Sequence, residues 1–470
     1  DSGGVSHDNI FAFDGATVSA IAPSPRQAGL IWAGSDDGLV HLTRDGGTSW
    51  RDLTAHLAGL PHWATITSID PSPAAAGTAY VSADAHMQGD DRPLIYKTSD
   101  YGATWRALGQ GIPASVFSYV SCVRMDPARP GLLYAGTQNG LYFSLDDGAH
   151  WNPLQLNLPH APVSWIEVQP RFGDLVVATF GRGVYILDDL SPLRQLNAGV
   201  LAAPATLFVP HPAYRFRPEG GYIRNQPLPG WQAPAAGASI NYCVAPSASG
   251  GDASLAIFDA SGRRLRTLRV PLRAGINRVY WDMREEPARP PLLLTPPPDA
   301  PWVPVPPGGR RLRTWDLDFS LDGPMVPPGL YTLRLTAGGR TLEQHLRLLK
   351  DPHSSASLDD IAQQASFARQ IRDSLDATAA LISRMETLRR DRRQAQAALA
   401  IESKLVDVHL TGAREDQFRH PDQLWAQWAT LNHEISDDSA DFAPTAAQRA
   451  AFARFAAVLE AQRSAAAGLR

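Results

Sequence analysis

Three stretches in the first third of the chain share one pattern and decide the fold: Thr43-Arg-Asp-Gly-Gly-Thr-Ser-Trp50, Thr98-Ser-Asp-Tyr-Gly-Ala-Thr-Trp105 and Ser144-Leu-Asp-Asp-Gly-Ala-His-Trp151. Each stretch follows an apolar run with the alternation of a β-strand. The aspartate and the glycine therefore fall in a hairpin turn, where a carboxylate accepts backbone N–H groups and glycine takes a positive φ. The copies recur about every 50 residues, which is the period of a four-stranded propeller blade rather than of a helical repeat.

This pattern, Ser/Thr-x-Asp-x-Gly-x-x-Trp, is the Asp-box. The turn position accounts fully for its carboxylate, and the tryptophan is expected to begin the next strand and to pack inward. We therefore predict structural roles for the nine residues at these positions: Asp45, Gly47, Trp50, Asp100, Gly102, Trp105, Asp146, Gly148 and Trp151.

The sequence around the Asp-boxes repeats as well. The runs Gly29–His41, Gly131–Phe143 and Gly173–Tyr185 each contain two β-rich segments around a glycine-centred turn, which predicts a hairpin. Together with a short run before each hairpin, they predict about four blades between Thr17 and Leu190, the last without an Asp-box.

Four blades are the low end of what closes into a propeller, and an incomplete ring would expose long apolar edges. The sequence begins at Asp1 without a charged-then-apolar leader. We expect the C-terminal part of a longer protein whose N-terminal propeller blades are missing here, or a chain that completes its ring with a protein partner. A self-contained four-bladed ring is the alternative.

Periodicity and composition divide the chain into four segments, and the predicted fold class is mainly β with a helical end. Residues 1–190 form the Asp-box β-propeller segment, and residues 191–236 are a Pro/Gly-rich linker. Residues 237–352 predict an immunoglobulin-like β-sandwich with a Pro-rich insert at 287–312 that lies outside it. Residues 353–470 predict a C-terminal helical bundle, with helix N-caps at Ser357 and Thr445.

Composition excludes several classes of function. The net charge is −4 and 19% of the residues are charged, which gives no indication of nucleic-acid binding. No apolar run approaches the roughly 20 residues of a membrane span. Cys122 and Cys243 lie in different predicted domains, so we expect no bridge between them. Without a phosphate loop, a zinc pattern or a nucleophile elbow, we predict no cofactor and no metal.

The longest departure from the repeat, Ala83–Pro93, is the candidate site. Long loops on a rigid β-scaffold often carry binding groups. Candidate catalytic carboxylates are Asp84, Asp90 and Asp91, and the candidate ligand-binding residues in the same loop are His86 and Arg92. In the alternative interpretation Arg92 pairs with Asp90 or Asp91 and only orders the loop. Asp84, His86 and Asp90 are suitable ligand types for a metal but have no diagnostic spacing.

Three further residues are candidates for ligand binding. His62 and Trp63 precede the first strand of the second blade, and Arg182 lies in the corresponding turn of the fourth. Aromatic side chains near a propeller channel can stack on sugar rings, but they also serve as packing between blades. The arginines near the blade strands do not stand at one repeated position, which weakens a sialidase-type interpretation.

The order of these features resembles a known group of proteins. The chain combines Asp-boxes with the run Phe180-Gly-Arg-Gly-Val-Tyr-Ile-Leu-Asp-Asp-Leu-Ser-Pro192, a strand at Pro327–Leu335 and a helical tail. In this it resembles the C-terminal half of large bacterial exported proteins with sortilin-like (BNR/Asp-box repeat) propellers, often labelled glycosyl hydrolases. The resemblance implies a secreted or periplasmic protein. The hydrolase label in that group rests on sharing the propeller with sialidases and xyloglucanases, which is an analogy of fold.

Two functions follow as hypotheses. The first is an exported, non-catalytic binding or assembly protein whose propeller recognises a polypeptide or a glycan, or packs in a larger complex. The alternative is a sialidase- or xyloglucanase-like glycoside hydrolase with its site in the propeller channel. A glycosidase needs two carboxyl groups that flank its substrate. The feature that discriminates between them is therefore a pair of inward carboxylates from different blades that face one open cleft.

Overall fold

The computed structural model describes residues 17–217, 237–251, 253–310, 312, 321–337, 339–413, 416, 419–436 and 440–469. It divides into two compact units, Asp1–Ala202 and Ala203–Arg470. The start of the predicted propeller segment and residues 218–236 of the predicted linker lie outside the described residues. Across the described part of the chain, no helix has the length and apolar character needed to cross a membrane.

The described residues of the first unit form four small antiparallel sheets, each with its strands in sequence order. Sheet 1 consists of β1 (Val18–Pro23), β2 (Ile31–Ser35), β3 (Val40–Thr43) and β4 (Arg51–Asp52). Sheet 2 consists of β5 (Thr65–Pro71), β6 (Ala79–Ala85), β7 (Asp90–Thr98) and β8 (Arg106–Ala107). Sheet 3 consists of β9 (Val120–Met125), β10 (Leu133–Thr137), β11 (Gly140–Ser144) and β12 (Asn152–Pro153). Sheet 4 has three strands, β13 (Val163–Gln169), β14 (Asp174–Thr179) and β15 (Gly183–Leu187), and the short helices α1 (Ser191–Gln195) and α2 (Ala198–Ala202) follow it.

Successive sheets pack face to face, with the first strand of each sheet beside the first strand of the next. Three apolar cores fill the spaces between them: Trp32 and Ile66 belong to the core of sheets 1 and 2, Tyr80 and Leu133 to that of sheets 2 and 3, and Tyr134 to that of sheets 3 and 4. This radial succession of small antiparallel sheets is a propeller arrangement and confirms the mainly β, propeller-like prediction.

The Asp-box turns share one hydrogen-bond pattern. The Thr43 hydroxyl donates to Asp45 at 2.7 Å, and the N–H and hydroxyl of Ser49 donate to the same carboxylate at 2.9 and 2.6 Å. These hydrogen bonds, above all from the Ser49 hydroxyl, lower the pKa of Asp45 to about 2. Asp100 and Asp146 accept corresponding bonds in sheets 2 and 3. The three carboxylates are thus engaged within their own turns.

The Asp-box tryptophans pack backwards, against the preceding sheet. Trp151 of sheet 3 is buried and donates to the carbonyl oxygen of Leu108, at the end of sheet 2, at 2.7 Å. Trp105 of sheet 2 meets Trp32 of sheet 1 edge-on, with ring centroids 6.0 Å apart. Trp50 is 46% exposed, against our expectation of inward packing. The reason is its position in sheet 1, which no other sheet precedes among the described residues.

The second unit begins with two sheets that share one apolar core. A three-stranded sheet contains β16 (Ala205–Leu207), β18 (Ala238–Val244) and β21 (Gly275–Trp281). A five-stranded sheet contains β17 (Ala213–Arg215), β19 (Ala253–Phe258), β20 (Arg264–Val270), β22 (Gly329–Ala337) and β23 (Arg340–Lys350). Buried Tyr242 and Trp281 of the first sheet share a core with Leu255 and Leu333 of the second. Two strands, β16 and β17, lie in the segment interpreted from sequence as a linker.

The end of the chain is helical, as predicted. Its helices are α3 (Leu358–Leu388), α4 (Ala395–Leu405), α5 (Leu424–Ser436) and α6 (Ala446–Ala466). Ser357 with Asp360, and Thr445 with Gln448, form capping boxes at the starts of α3 and α6. Leu293, from the Pro-rich insert, is buried in the apolar core of these helices. The insert therefore packs on the helical part of this unit.

Candidate functional site

The predicted loop residues form a cluster around His86, which follows β6. The imidazole of His86 stacks on the ring of Tyr119 with centroids 4.2 Å apart and planes 10° from parallel. Asp84 holds that imidazole from the side, since its Oδ2 lies 2.7 Å from His86 Nδ1, and it also accepts the His86 backbone N–H at 2.9 Å. Gln88 donates to the carbonyl oxygen of Trp63 at 2.6 Å. The structure thereby links residues of the β4–β5, β6–β7 and β8–β9 connections into one surface.

Asp90 is held by an arginine of the same loop. Arg92 donates through Nε to Asp90 at 2.8 Å, and this hydrogen bond lowers the pKa of the Asp90 carboxyl. Burial raises the pKa of Tyr119, and the nearby charges of Asp84 and Asp91 raise it further. Asp84 and Asp90 are thus engaged by partners within their own loop.

The remaining predicted ligand residues lie at two places. The His62 ring is 5.9 Å from that of Trp63, at the edge of the His86 cluster. Arg182 is exposed in the β14–β15 turn of sheet 4, and no described contact joins it to the cluster. No group of three or more His, Cys, Asp or Glu side chains suited to a metal ion occurs among the residues that the structure describes.

A second site, which the sequence interpretation missed, lies where the first strands of all four sheets meet. These strands line a cavity of about 340 Å³. Its chemically distinctive lining residues are Asp70 from β5, Arg124 from β9, and Trp165 and Glu167 from β13. Two carboxylates from different sheets therefore face one open cavity.

The three charged residues of this cavity occupy one repeated position. In the strand register Asp70 lies opposite Tyr80, Arg124 opposite Tyr134 and Glu167 opposite Val176, so each holds the same place in its sheet. The runs Ile69-Asp70-Pro71, Val123-Arg124-Met125 and Ile166-Glu167-Val168 carry this signal in the sequence. A charge that recurs in phase with a strand repeat, rather than one residue type, was the pattern to search for.

Asp70 and Arg124 each reach forward to the next sheet. Asp70 accepts the backbone N–H of Met125 at 2.6 Å and lies 3.8 Å from an Arg124 nitrogen. The guanidinium of Arg124 lies 4.1 Å from the centre of the Trp165 ring and donates through Nε to the carbonyl oxygen of Ile166 at 3.0 Å. Charged side chains thus connect sheet 2 to sheet 3 and sheet 3 to sheet 4.

Asp70, Arg124 and Glu167 differ in their burial and in their electrostatic surroundings. Burial raises the pKa of Asp70 to about 6, Arg124 opposes that rise, and the negative charge of Glu167 adds to it. Arg124 is 9% exposed and donates to the Ile166 and Val123 carbonyl oxygens. Glu167 is exposed, and its side chain makes no hydrogen bond or ion pair with the described residues.

The outward face of sheet 4 is apolar, and no other sheet of the described residues packs on it. Ala178 pairs with Val184 and Val176 with Ile186 across this face. Val184 is 63% exposed and Ile186 is 59% exposed. We call these four residues, Val176, Ala178, Val184 and Ile186, the open face. In sheets 1 to 3 the corresponding face is covered by the next sheet.

No protein-family model matches the chain. A curated protein, the oligoxyloglucan-reducing end-specific xyloglucanase of Emericella nidulans, is 27% identical over 165 residues, which is 32% of this chain and 19% of that protein. Among solved structures, YCF48 bound to D1 peptide is 18% identical, with a TM-score of 0.28, over 37% of this chain and 52% of that one. The GH74 xyloglucanase from Xanthomonas campestris is 16% identical, with a TM-score of 0.29, over 71% of this chain and 45% of that one. The chain therefore spans about half or less of each of these proteins, and what it is similar to includes both hydrolases and a peptide-bound protein.

Proposed function

We propose that this chain is a non-catalytic assembly protein whose propeller segment packs, through the open face of sheet 4, against a further β-sheet. The observation that carries this proposal is the exposure of Val184 and Ile186, at positions where the other three sheets are covered. A contiguous apolar face is the usual mark of an interface. Full burial of one such side chain contributes about 1.5–3 kcal/mol.

The docking sheet belongs either to a protein partner or to propeller blades elsewhere in a longer polypeptide. We further propose that the repeats are sortilin-like Asp-box blades and that the two-sheet domain is immunoglobulin-like. From the resemblance we also propose that the protein is exported, to the periplasm or the cell exterior. In this proposal the nine Asp-box residues are structural, and the carboxylates of Asp45, Asp100 and Asp146 accept hydrogen bonds within their own turns.

The test is the mass of the native particle that contains this chain, measured by size-exclusion chromatography with light scattering and mass spectrometry. We expect a particle larger than the 50.8 kDa of this chain. If the docking sheet belongs to a separate protein, the double substitution Val184→Asp and Ile186→Asp should release that protein, since it places two charges in an apolar contact. If the sheet belongs to the same polypeptide, the double substitution should instead lower the free energy of unfolding of the native particle. Leu330→Asp, at an exposed apolar residue of the second unit, is the matched control. A double variant whose native particle keeps both its mass and its free energy of unfolding would contradict docking at the open face.

The cluster of Trp63, His86 and Tyr119 is the surface that we propose for ligand contact, with either a polypeptide or a glycan. Trp63 is half exposed, and the stacked pair beside it is held by Asp84. Aromatic groups of limited flexibility form contacts at low entropic cost. Trp63→Ala and Tyr119→Ala should abolish binding in a screen of immobilised glycans and peptides. A glycan or peptide that still binds to both variants would contradict ligand contact at this cluster.

A glycoside hydrolase is the second candidate, and one observation favours it. Asp70 and Glu167 come from different sheets and line the same cavity, and the pKa of Asp70 is raised as a general acid requires. We rank this function second because Asp70 already accepts the Met125 N–H and faces Arg124. Release of reducing sugar from xyloglucan oligosaccharides, lost in both Asp70→Asn and Glu167→Gln, would reverse the ranking.

A further inference from the structure

The first strands of sheets 2, 3 and 4 each carry a charged residue at the equivalent position, which we call the inner-strand position. The sign of the charge alternates from Asp70 to Arg124 to Glu167. The first two are each satisfied by the following sheet: Asp70 by the Met125 N–H and Arg124, and Arg124 by the Ile166 carbonyl oxygen and the Trp165 ring. The third has no such partner among the described residues, although it stands at the same place in its own strand. The direction of the first two contacts shows where the partner of Glu167 would lie.

We propose that Glu167 is the charge determinant of docking at the open face, and that the sheet which packs there presents a basic side chain, arginine or lysine, at the next position of the series. This inference rests on the proposed assembly function. Burying Glu167 without a partner would be costly, whereas a hydrogen-bonded cation beside it offsets that cost.

The same reasoning excludes the first sheet of a second copy as the occupant. In β1 the residues at the positions of Arg124 and Met125 are Ala22 and Pro23, as the pairing of β1 with β2 shows. Alanine brings no charge, and proline has no N–H to donate. A ring closed by two copies would therefore leave Glu167 in the interface without a donor. The occupant is therefore a sheet of a separate partner protein, and this sheet presents the basic side chain.

The first experiment is carboxyl footprinting with glycine ethyl ester and a carbodiimide, read by mass spectrometry. The native particle is compared with the 470-residue chain alone. We expect Glu167 to be labelled in the isolated chain and at least several-fold less in the native particle. Glu460, an exposed carboxylate of α6, is the matched control and should be labelled equally in both.

The second experiment compares Glu167→Arg with Glu167→Gln. Charge reversal should raise the concentration needed for half-assembly by about tenfold or more, because it places the new arginine opposite the basic side chain of the partner. Glutamine retains a hydrogen-bond acceptor, so its effect should be smaller. Three results would overturn the inference: assembly of Glu167→Arg at the wild-type concentration, equal labelling of Glu167 in both samples, or a particle made of two copies of this chain alone. If docking is lost in the Val184 and Ile186 variant but not in Glu167→Arg, the assembly function stands and only the charge inference falls.

Discussion

Replacement of Gly136 by alanine tests the packing of sheet 3 on sheet 4. A β carbon at this residue would lie 2.6 Å from Val163 Cγ1 and 2.9 Å from both the Val163 carbonyl oxygen and the Cys122 Sγ. The Val163 carbonyl oxygen is backbone, and Val163 Cγ1 belongs to a β-branched side chain in a strand. Neither atom can move away without a shift of the strand itself. Overpacking of this kind typically costs about 1–3 kcal/mol. We expect Gly136→Ala to lower the free energy of unfolding by that amount.

The control is Ala178→Leu, because Ala178 holds the position of Gly136 in sheet 4 and faces no further sheet among the described residues. This larger substitution should change the free energy of unfolding of the chain by less than about 0.5 kcal/mol. Both values come from equilibrium unfolding in urea, followed by tryptophan fluorescence. If Gly136→Ala were neutral, or if Ala178→Leu were equally destabilising, the described order of sheet packing would be wrong.

Three other outcomes are expected. The pKa of Asp70 is raised from 3.8 to about 6, so the folded chain keeps a proton that the unfolded chain releases, and the free energy of unfolding should fall as the pH rises between these values. Asp70→Asn should remove that part of a pH series of urea unfolding curves. Burial and the neighbouring Glu386 raise the pKa of Glu402, so Glu402→Gln should unfold at a higher temperature than the native chain in calorimetry above neutral pH. Thr445→Ala removes the hydroxyl that caps α6 through the Gln448 N–H and should cost about 1 kcal/mol in urea unfolding.

The sequence predicts the repeat well because the repeat is local. An Asp-box turn is specified within a few residues, as the bonds of Asp45 to Thr43 and Ser49 show. Capping boxes such as Thr445 with Gln448 are local for the same reason. The contacts between Arg92 and Asp90 in the long loop are local too, and the sequence interpretation had named that pair as the alternative to catalysis.

The cavity could not be found in this way because its residues are related by register, not by spacing. Asp70 and Met125 are bonded across 55 residues of chain, and each belongs to a different sheet. Residue type gives no help, since an aspartate, an arginine and a glutamate occupy equivalent positions. Once strand pairing is known, Tyr80, Tyr134 and Val176 identify the equivalent positions at once.

The first and the last sheet of the propeller segment each lack a contact that the other sheets make. Trp105 and Trp151 pack on the preceding sheet, whereas Trp50 of sheet 1 has no such sheet to contact among the described residues. Asp70 and Arg124 reach the following sheet, whereas Glu167 of sheet 4 has no following sheet among the described residues. If the four sheets closed into a ring of their own, sheet 4 would cover Trp50 and sheet 1 would cover Val184, yet both side chains are about half exposed or more. The described sheets therefore form an open arc, and the contacts missing at its two ends are those that a further sheet at each end would supply.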